Sequence, residues 1–187
     1  MKIACLGWGS LIWMPRSLPI RRGWFSDGPL LPIEFARESG DRRITLVLAN
    51  VNHRVRTLWA LMSVDTLDRA KSALATREGI TESNIRYSVG YWDSETDTSH
   101  GEFAAEIGGW AKQLALDAVV WTNLKVGFKD KRGELPQYDQ ILEHLRWCLS
   151  HEERAFAEEY VRKAPTQIDT EYRRNLERDL GWTPIEV

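Results

Sequence analysis

The chain has 187 residues, 43% of them hydrophobic, which suits one globular domain with a sizeable core and excludes an intrinsically disordered segment. Lys and Arg (25) nearly balance Asp and Glu (27), giving a net charge of −2 with no long run of one sign, so the electrostatic footprint of a nucleic-acid binder is missing. The two cysteines, Cys5 and Cys148, lack metal-ligand spacing and fit a reducing compartment better than a disulfide scaffold, so a cytoplasmic location is expected.

Ile3, Cys5 and Leu6, ending at Gly7, predict a short buried strand. The turn after it reads GWGSLIW. Gly7 and Gly9 permit positive φ and close approach to the backbone, so successive N–H groups there could converge on an anion. The plainer alternative is a turn whose Trp8, Trp13 and Met14 fill the core. Lys2 before an apolar stretch looks like the start of a secretion signal, but Gly7, Gly9, Ser10 and the tryptophans break it and no A-x-A site follows, so none is expected. No run approaches the length needed to span a bilayer.

Residues 30–39 and 42–51 read as two strands pairing as a hairpin about Gly40-Asp41, and 56–64 as a further strand. Asp65 is placed to cap a helix over 66–77 with Gly79 as its stop. A second hairpin edge is expected at 85–92. Phe103, Ile107, Trp110 and Leu114 restore a helical period, with Gly108-Gly109 as a candidate bend, and 117–124 reads as a buried strand. Charged residues, Gly133 and Pro136 make 128–137 linker-like. Three helices then follow, marked by Tyr138, Ile141, Leu142 and Leu145, by Phe156, Ala157, Tyr160 and Val161, and by Ile168, Tyr172, Leu176 and Leu180 before Gly181. Strands first and helices last argue for an α+β fold, a sheet or barrel with helices outside it.

On the 66–77 helix and its continuation, Ala70, Leu74 and Glu78 fall within roughly 60° of Leu67 at about 100° per residue. Glu78 thus extends an apolar face and lies at the negative end of the helix dipole, and both effects favour its protonated form. That is what a general acid and base working near neutrality requires. The alternative is a helix frayed by Arg77, with Glu78 in solvent or paired with an arginine. His144, Cys148 and His151 share a face only if their helix is continuous, and the Ser150…Glu153 capping-box pattern breaks it, so no metal is expected. Ser10 lacks the elbow sequence of a serine nucleophile. The nine tryptophans are scattered and read as core.

GWGSLIW resembles the Y-G-S-L-I-W loop of gamma-glutamylcyclotransferase-like proteins, especially the ChaC branch that acts on glutathione. FARESGDRR and TLWALMSVDTLDRAKSALATREG are similar to the same branch, in the same order over roughly the first 80 residues. The resemblance implies a small mixed β-barrel of that type with flanking helices; with the order of elements read above, the barrel is expected over 1–128 and the helices of 137–187 packed on the same single domain. It also implies a loop, Trp8, Gly9, Ser10 and Leu11, whose backbone holds the carboxylate end of a γ-glutamyl group, and a catalytic glutamate, Glu78. Trp8 departs from the family's tyrosine, exchanging a hydroxyl for an indole donor, and the second half does not follow the ChaC pattern, so glutathione specificity does not transfer.

The implied activity converts a γ-glutamyl amide or peptide to 5-oxoproline and a free amine. Such a substrate carries its own nucleophile, the α-amine, so the chemistry calls for positioning and a proton shuttle and for no cofactor. Glu78 would move the proton, while the backbone at 9–11 would fix the α-carboxylate or steady the oxyanion. The other expectation is a non-catalytic member of the fold that binds a small metabolite or a protein, its C-terminal helices forming the contact surface. A small-molecule substrate, no nucleic acid and no membrane partner are expected, with the oligomeric state left open.

Overall fold

The computed structural model describes residues 1–21, 23–151 and 154–186. In chain order the strands are β1 (Ile3–Gly7), β2 (Leu30–Leu31), β3 (Ile33–Glu38), β4 (Ile44–Leu48), β5 (Val55–Arg56), β6 (Leu58–Leu61), β7 (Val89–Asp93), β8 (Thr98–His100) and β9 (Ala118–Thr122). The helices are α1 (Leu67–Glu78), α2 (Ile85–Ser88), α3 (Ala104–Gln113), α4 (Tyr138–Leu149), α5 (Arg154–Lys163) and α6 (Glu171–Leu180). This is a mixed α+β fold, and none of the described helices is long and apolar enough to cross a membrane.

The chain divides into two units, the first made of Met1–Gly7, Met14–Leu31 and Arg56–Leu124. Its centre is a five-stranded sheet in the order β6-β1-β9-β7-β8. Here β1 runs antiparallel to β6 and parallel to β9, and β7 runs antiparallel to both β9 and β8. β1 and β9 are buried at every position, as expected of strands covered on two sides. Adjacent residues of β7 show what covers them: the Lys71 ammonium of α1 lies over the Tyr91 ring, while Gly108 of α3 presses against Trp92. Tyr91 and Trp92 point to opposite faces, so α1 and α3 clothe the sheet from opposite sides.

The expected closed barrel is therefore corrected to an open sheet. β6 and β8 remain as edges, and β3 and β4 pair with each other in a separate two-stranded ladder. Closure needs the two edge strands to meet around one interior face. Here both faces are already taken by helices.

Local chemistry sets the ends of α1. Thr66, not Asp65, is the N-cap, its hydroxyl accepting from the Arg69 N–H at 3.3 Å, while Asp65 pairs with the Arg69 guanidinium at 2.9 Å. Gly79 ends the helix in the left-handed region at φ 67°, as expected of a glycine stop. The edge strand expected at 85–92 is half helix: α2 occupies 85–88 and only Val89 onward is extended.

The second unit comprises Trp8–Trp13, Pro32–Val55 and Lys125–Val187, of which Glu152, Glu153 and Val187 are outside the described residues, as is the Glu153 end of the expected capping box. β3 and β4 form the expected antiparallel hairpin, with a bulge between Phe35 and Arg37. Its turn is closed by Asp41, which accepts from the Ser39 hydroxyl and, at 2.9 Å, from Arg43 Nε. Burial raises the proton affinity of Asp41, but these two hydrogen bonds and the Arg43 charge outweigh it and hold the carboxyl below its usual range.

The stretch expected to be a linker is fastened instead. Gly127 N–H donates to the Ala36 carbonyl at 2.7 Å, Lys129 N–H to Glu38 Oε2 at 2.9 Å, and the Arg132 guanidinium to the carbonyls of Gly127 and Glu38. Backbone groups laid along a bulged strand need partners, and this loop supplies them. The last helix starts at Glu171, after Thr170 caps it by accepting from the Arg173 N–H at 3.2 Å.

Candidate active site

In the first unit, α1 buries Ala70 and Leu74, leaves Leu67 half-buried and carries Glu78 as its last residue. The helix has not frayed there. The Glu78 side chain is 18% exposed, and its Oε1 accepts from Arg77 Nη1 at 2.7 Å. Arg77 is itself 6% exposed and anchored, with Nε and Nη2 donating to the Met14 carbonyl at 3.2 and 2.7 Å. A cation in the last turn suits the negative helix end and compensates the carboxylate beside it. Both expectations for Glu78 thus hold in part: it stays on the inward side of an intact helix and it pairs with an arginine.

Glu78 also lies within electrostatic reach of β1. Burial pushes the Cys5 thiol well above its ordinary range, the Glu78 charge adds to that rise, and Arg77 opposes it. A fully buried, protonated thiol is a poor nucleophile, so Cys5 offers no reactive thiolate at this helix end.

The loop Trp8, Gly9, Ser10 and Leu11 belongs to the second unit, whereas Glu78 belongs to the first. Trp8 and Leu11 are buried, and the Trp8 indole N–H donates to the Leu46 carbonyl of β4 at 3.2 Å. The loop tightens through Ile12 N–H to the Gly9 carbonyl at 2.9 Å. Neither Gly7 nor Gly9 has positive φ, so the anion nest expected from left-handed glycines is corrected. Gly7 ends β1 paired with Leu58. Gly9 is needed for space, because a side chain there would strike the Tyr160 hydroxyl.

Tyr160, noted in the sequence only as a helix marker, emerges as the organiser of this loop. Its hydroxyl accepts from Leu46 N–H at 3.3 Å, and its ring meets Trp13 edge-on at 5.4 Å and Phe35 at 6.4 Å. The Arg43 guanidinium lies 5.4 Å from the ring centroid. A tyrosine on an apolar helix face carries no sequence signal of such a role. Arg77 did carry one, as the basic residue of the last turn adjoining the candidate glutamate.

Among the described residues no group of three or more His, Cys, Asp or Glu is placed to hold a metal ion. His144 Nε2 lies 2.7 Å from the Arg42 carbonyl, Cys148 is fully buried, and His151 falls beyond the α4 C-cap at Ser150. No family model matches the chain, and no curated protein or solved structure matches it.

Proposed function

We propose that the chain is a gamma-glutamylcyclotransferase-like enzyme that cyclises a γ-glutamyl amide or peptide to 5-oxoproline and a free amine, with Glu78 as general acid and base. The observation that carries this reading is the carboxylate itself: inward-facing, at a helix end, and aimed by an arginine fixed to a backbone carbonyl. The three sequence stretches that resemble the family support it from a different direction.

In the proposed reaction the substrate ammonium gives a proton to Glu78, and the freed amine attacks its own γ-carbonyl. The new C–N bond closes the ring, Glu78 hands the first proton to the leaving nitrogen as its bond to carbon breaks, and the second proton, released by the ring nitrogen, passes through the same carboxylate to the freed amine, which departs as an ammonium. No electrons are exchanged with a partner. Holding the glutamyl chain folded captures an intramolecular advantage, and the proton transfers contribute about 10²–10⁴-fold. Arg77 acts as a positioning residue that fixes where the carboxylate points.

The second reading, a non-catalytic binder of the same fold, is favoured by one observation: the Trp8 indole N–H, which replaces the family's tyrosine hydroxyl, is committed to Leu46. Incubation with γ-glutamyl amino acids, γ-glutamyl amines and glutathione, followed by mass spectrometry for 5-oxoproline, separates the two. Release that falls at least a hundredfold in Glu78→Gln supports the enzyme. Undiminished release in that variant removes Glu78 from the mechanism, and no release from any member of the panel favours the binder.

A further inference from the structure

Within the first unit, a groove of about 830 Å³ runs between α1, the 82–88 segment and the β7–β8 hairpin. Its size falls in the range of small-molecule sites. On the α1 wall the charges are already spent: Lys71 pairs with Asp68 at 2.7 Å and caps the Tyr91 ring at 4.9 Å. The opposite holds on the 82–88 wall. Glu82 and Arg86 stand four residues apart, a spacing that joins such a pair on a continuous helix. Here the backbone passes from a 3₁₀ turn over Glu82–Asn84 into α2, and the Arg86 guanidinium turns over the Tyr87 ring at 4.5 Å. Among the described residues neither Glu82 nor Arg86 makes an ion pair or a side-chain hydrogen bond. Two opposite charges therefore line one groove without meeting each other, with Ile85 and Val89 supplying apolar wall beside them.

We propose that this groove binds a small zwitterion of dipeptide size, its carboxylate taken by the Arg86 fork and its ammonium by Glu82. A single anion or cation would engage only one of the two charges, whereas a ligand with both ends engages both at once. The site goes beyond the cyclisation chemistry and does not depend on it, because its residues are separate from Glu78 and the loop at 8–11.

The test is calorimetric titration with the dipeptide Gly-Leu, its N-acetyl form and its C-terminal amide, against wild type, Arg86→Gln and Glu82→Gln. Both positions are exposed, so the variants should melt as wild type does. Wild type should bind Gly-Leu saturably, and each variant should weaken it about tenfold or more, the loss expected for one charge-assisted contact. Arg86→Gln should no longer distinguish Gly-Leu from its amide, and Glu82→Gln should no longer distinguish it from the N-acetyl form. Absence of saturable binding to wild type overturns the proposal. So does a loss in only one variant, or blocked peptides that bind as well as the free zwitterion. The readout is binding, so failure here and failure of 5-oxoproline release are distinguishable.

Discussion

At the level of single residues, the two halves of the Glu78 expectation separate. An uncompensated carboxylate on an apolar face would make Glu78→Gln stabilising, but Arg77, 6% exposed, relies on it for a 2.7 Å charge-assisted contact. Glu78→Gln should therefore lose about 1 kcal/mol, read by urea denaturation at neutral pH, and a variant more stable than wild type would show that the pair contributes nothing. Gly9 makes a sharper case. A Cβ at that position strikes the Tyr160 hydroxyl, so Gly9→Ala should cost about 1–3 kcal/mol by overpacking. Removing the hydroxyl removes the obstacle. In a double-mutant cycle Tyr160→Phe should recover part of the Gly9→Ala loss, and strict additivity would mean that the glycine is there for another reason.

At the level of elements, the strands and helices with strong periods were legible in the sequence: β1, the β3–β4 pair, α1 with its glycine stop, and β9 all lie where alternation, apolar runs and caps placed them. What periodicity does not see is local competition and long-range fastening. Residues 85–88 are too few to display a helical period, and 128–137 looked like a linker because its partners on β3 are distant in sequence. Glu34 is the clearest such case. It is fully buried in β3, where its carboxylate accepts from the Thr170 hydroxyl at 2.5 Å and from Tyr172 N–H at 3.1 Å, so it holds the N-terminus of α6. Burial pushes its pKa up, against the opposing pull of those bonds, of Phe35 N–H and of His53. The unfolded chain thus releases this proton first, near pH 4.3, while the folded chain still holds it. Wild type should lose stability as pH rises from there through the folded value and then level off. Glu34→Gln should lack that component, which the wild-type-minus-variant difference in urea midpoint between pH 4 and 8 would reveal. A flat difference would mean that Glu34 ionises as it does in the unfolded chain.

At the level of the whole molecule, composition allowed a sizeable core but could not say how the strands close, since sheet edges are decided by which strands meet and not by how apolar each one is. The same limit applies to the candidate site. Glu78 was legible because helix phase is local, and Arg77's anchor at Met14, 63 residues away in sequence, was not. The cysteines report how the two units hold together internally, because Cys5 lies in the first and Cys148 in the second, each fully buried and neither in a disulfide. Alkylation needs the thiolate and access, and the native protein offers neither at Cys5, whose thiol is raised first by burial and then by Glu78 against Arg77. In the single-thiol proteins Cys148→Ala and Cys5→Ala, iodoacetamide should react on the order of a thousandfold more slowly than with the urea-unfolded chain, each thiol waiting for its own unit to open. Rapid native labelling of Cys5 would contradict the packing of β1 under α1. The raised thiol adds a second, independent signature with a definite sign. Its contribution is fully present below the unfolded value of about 8.5 and is lost as pH rises beyond it, because the unfolded thiol ionises while the folded one keeps its proton. Wild type should therefore become less stable from about pH 8.5 upward, and Cys5→Ala, whatever its packing cost at neutral pH, should lack that part of the alkaline slope. Equal slopes in the two proteins would place the Cys5 thiol in an environment no different from water, which a fully buried residue on an interior strand of a five-stranded sheet does not occupy.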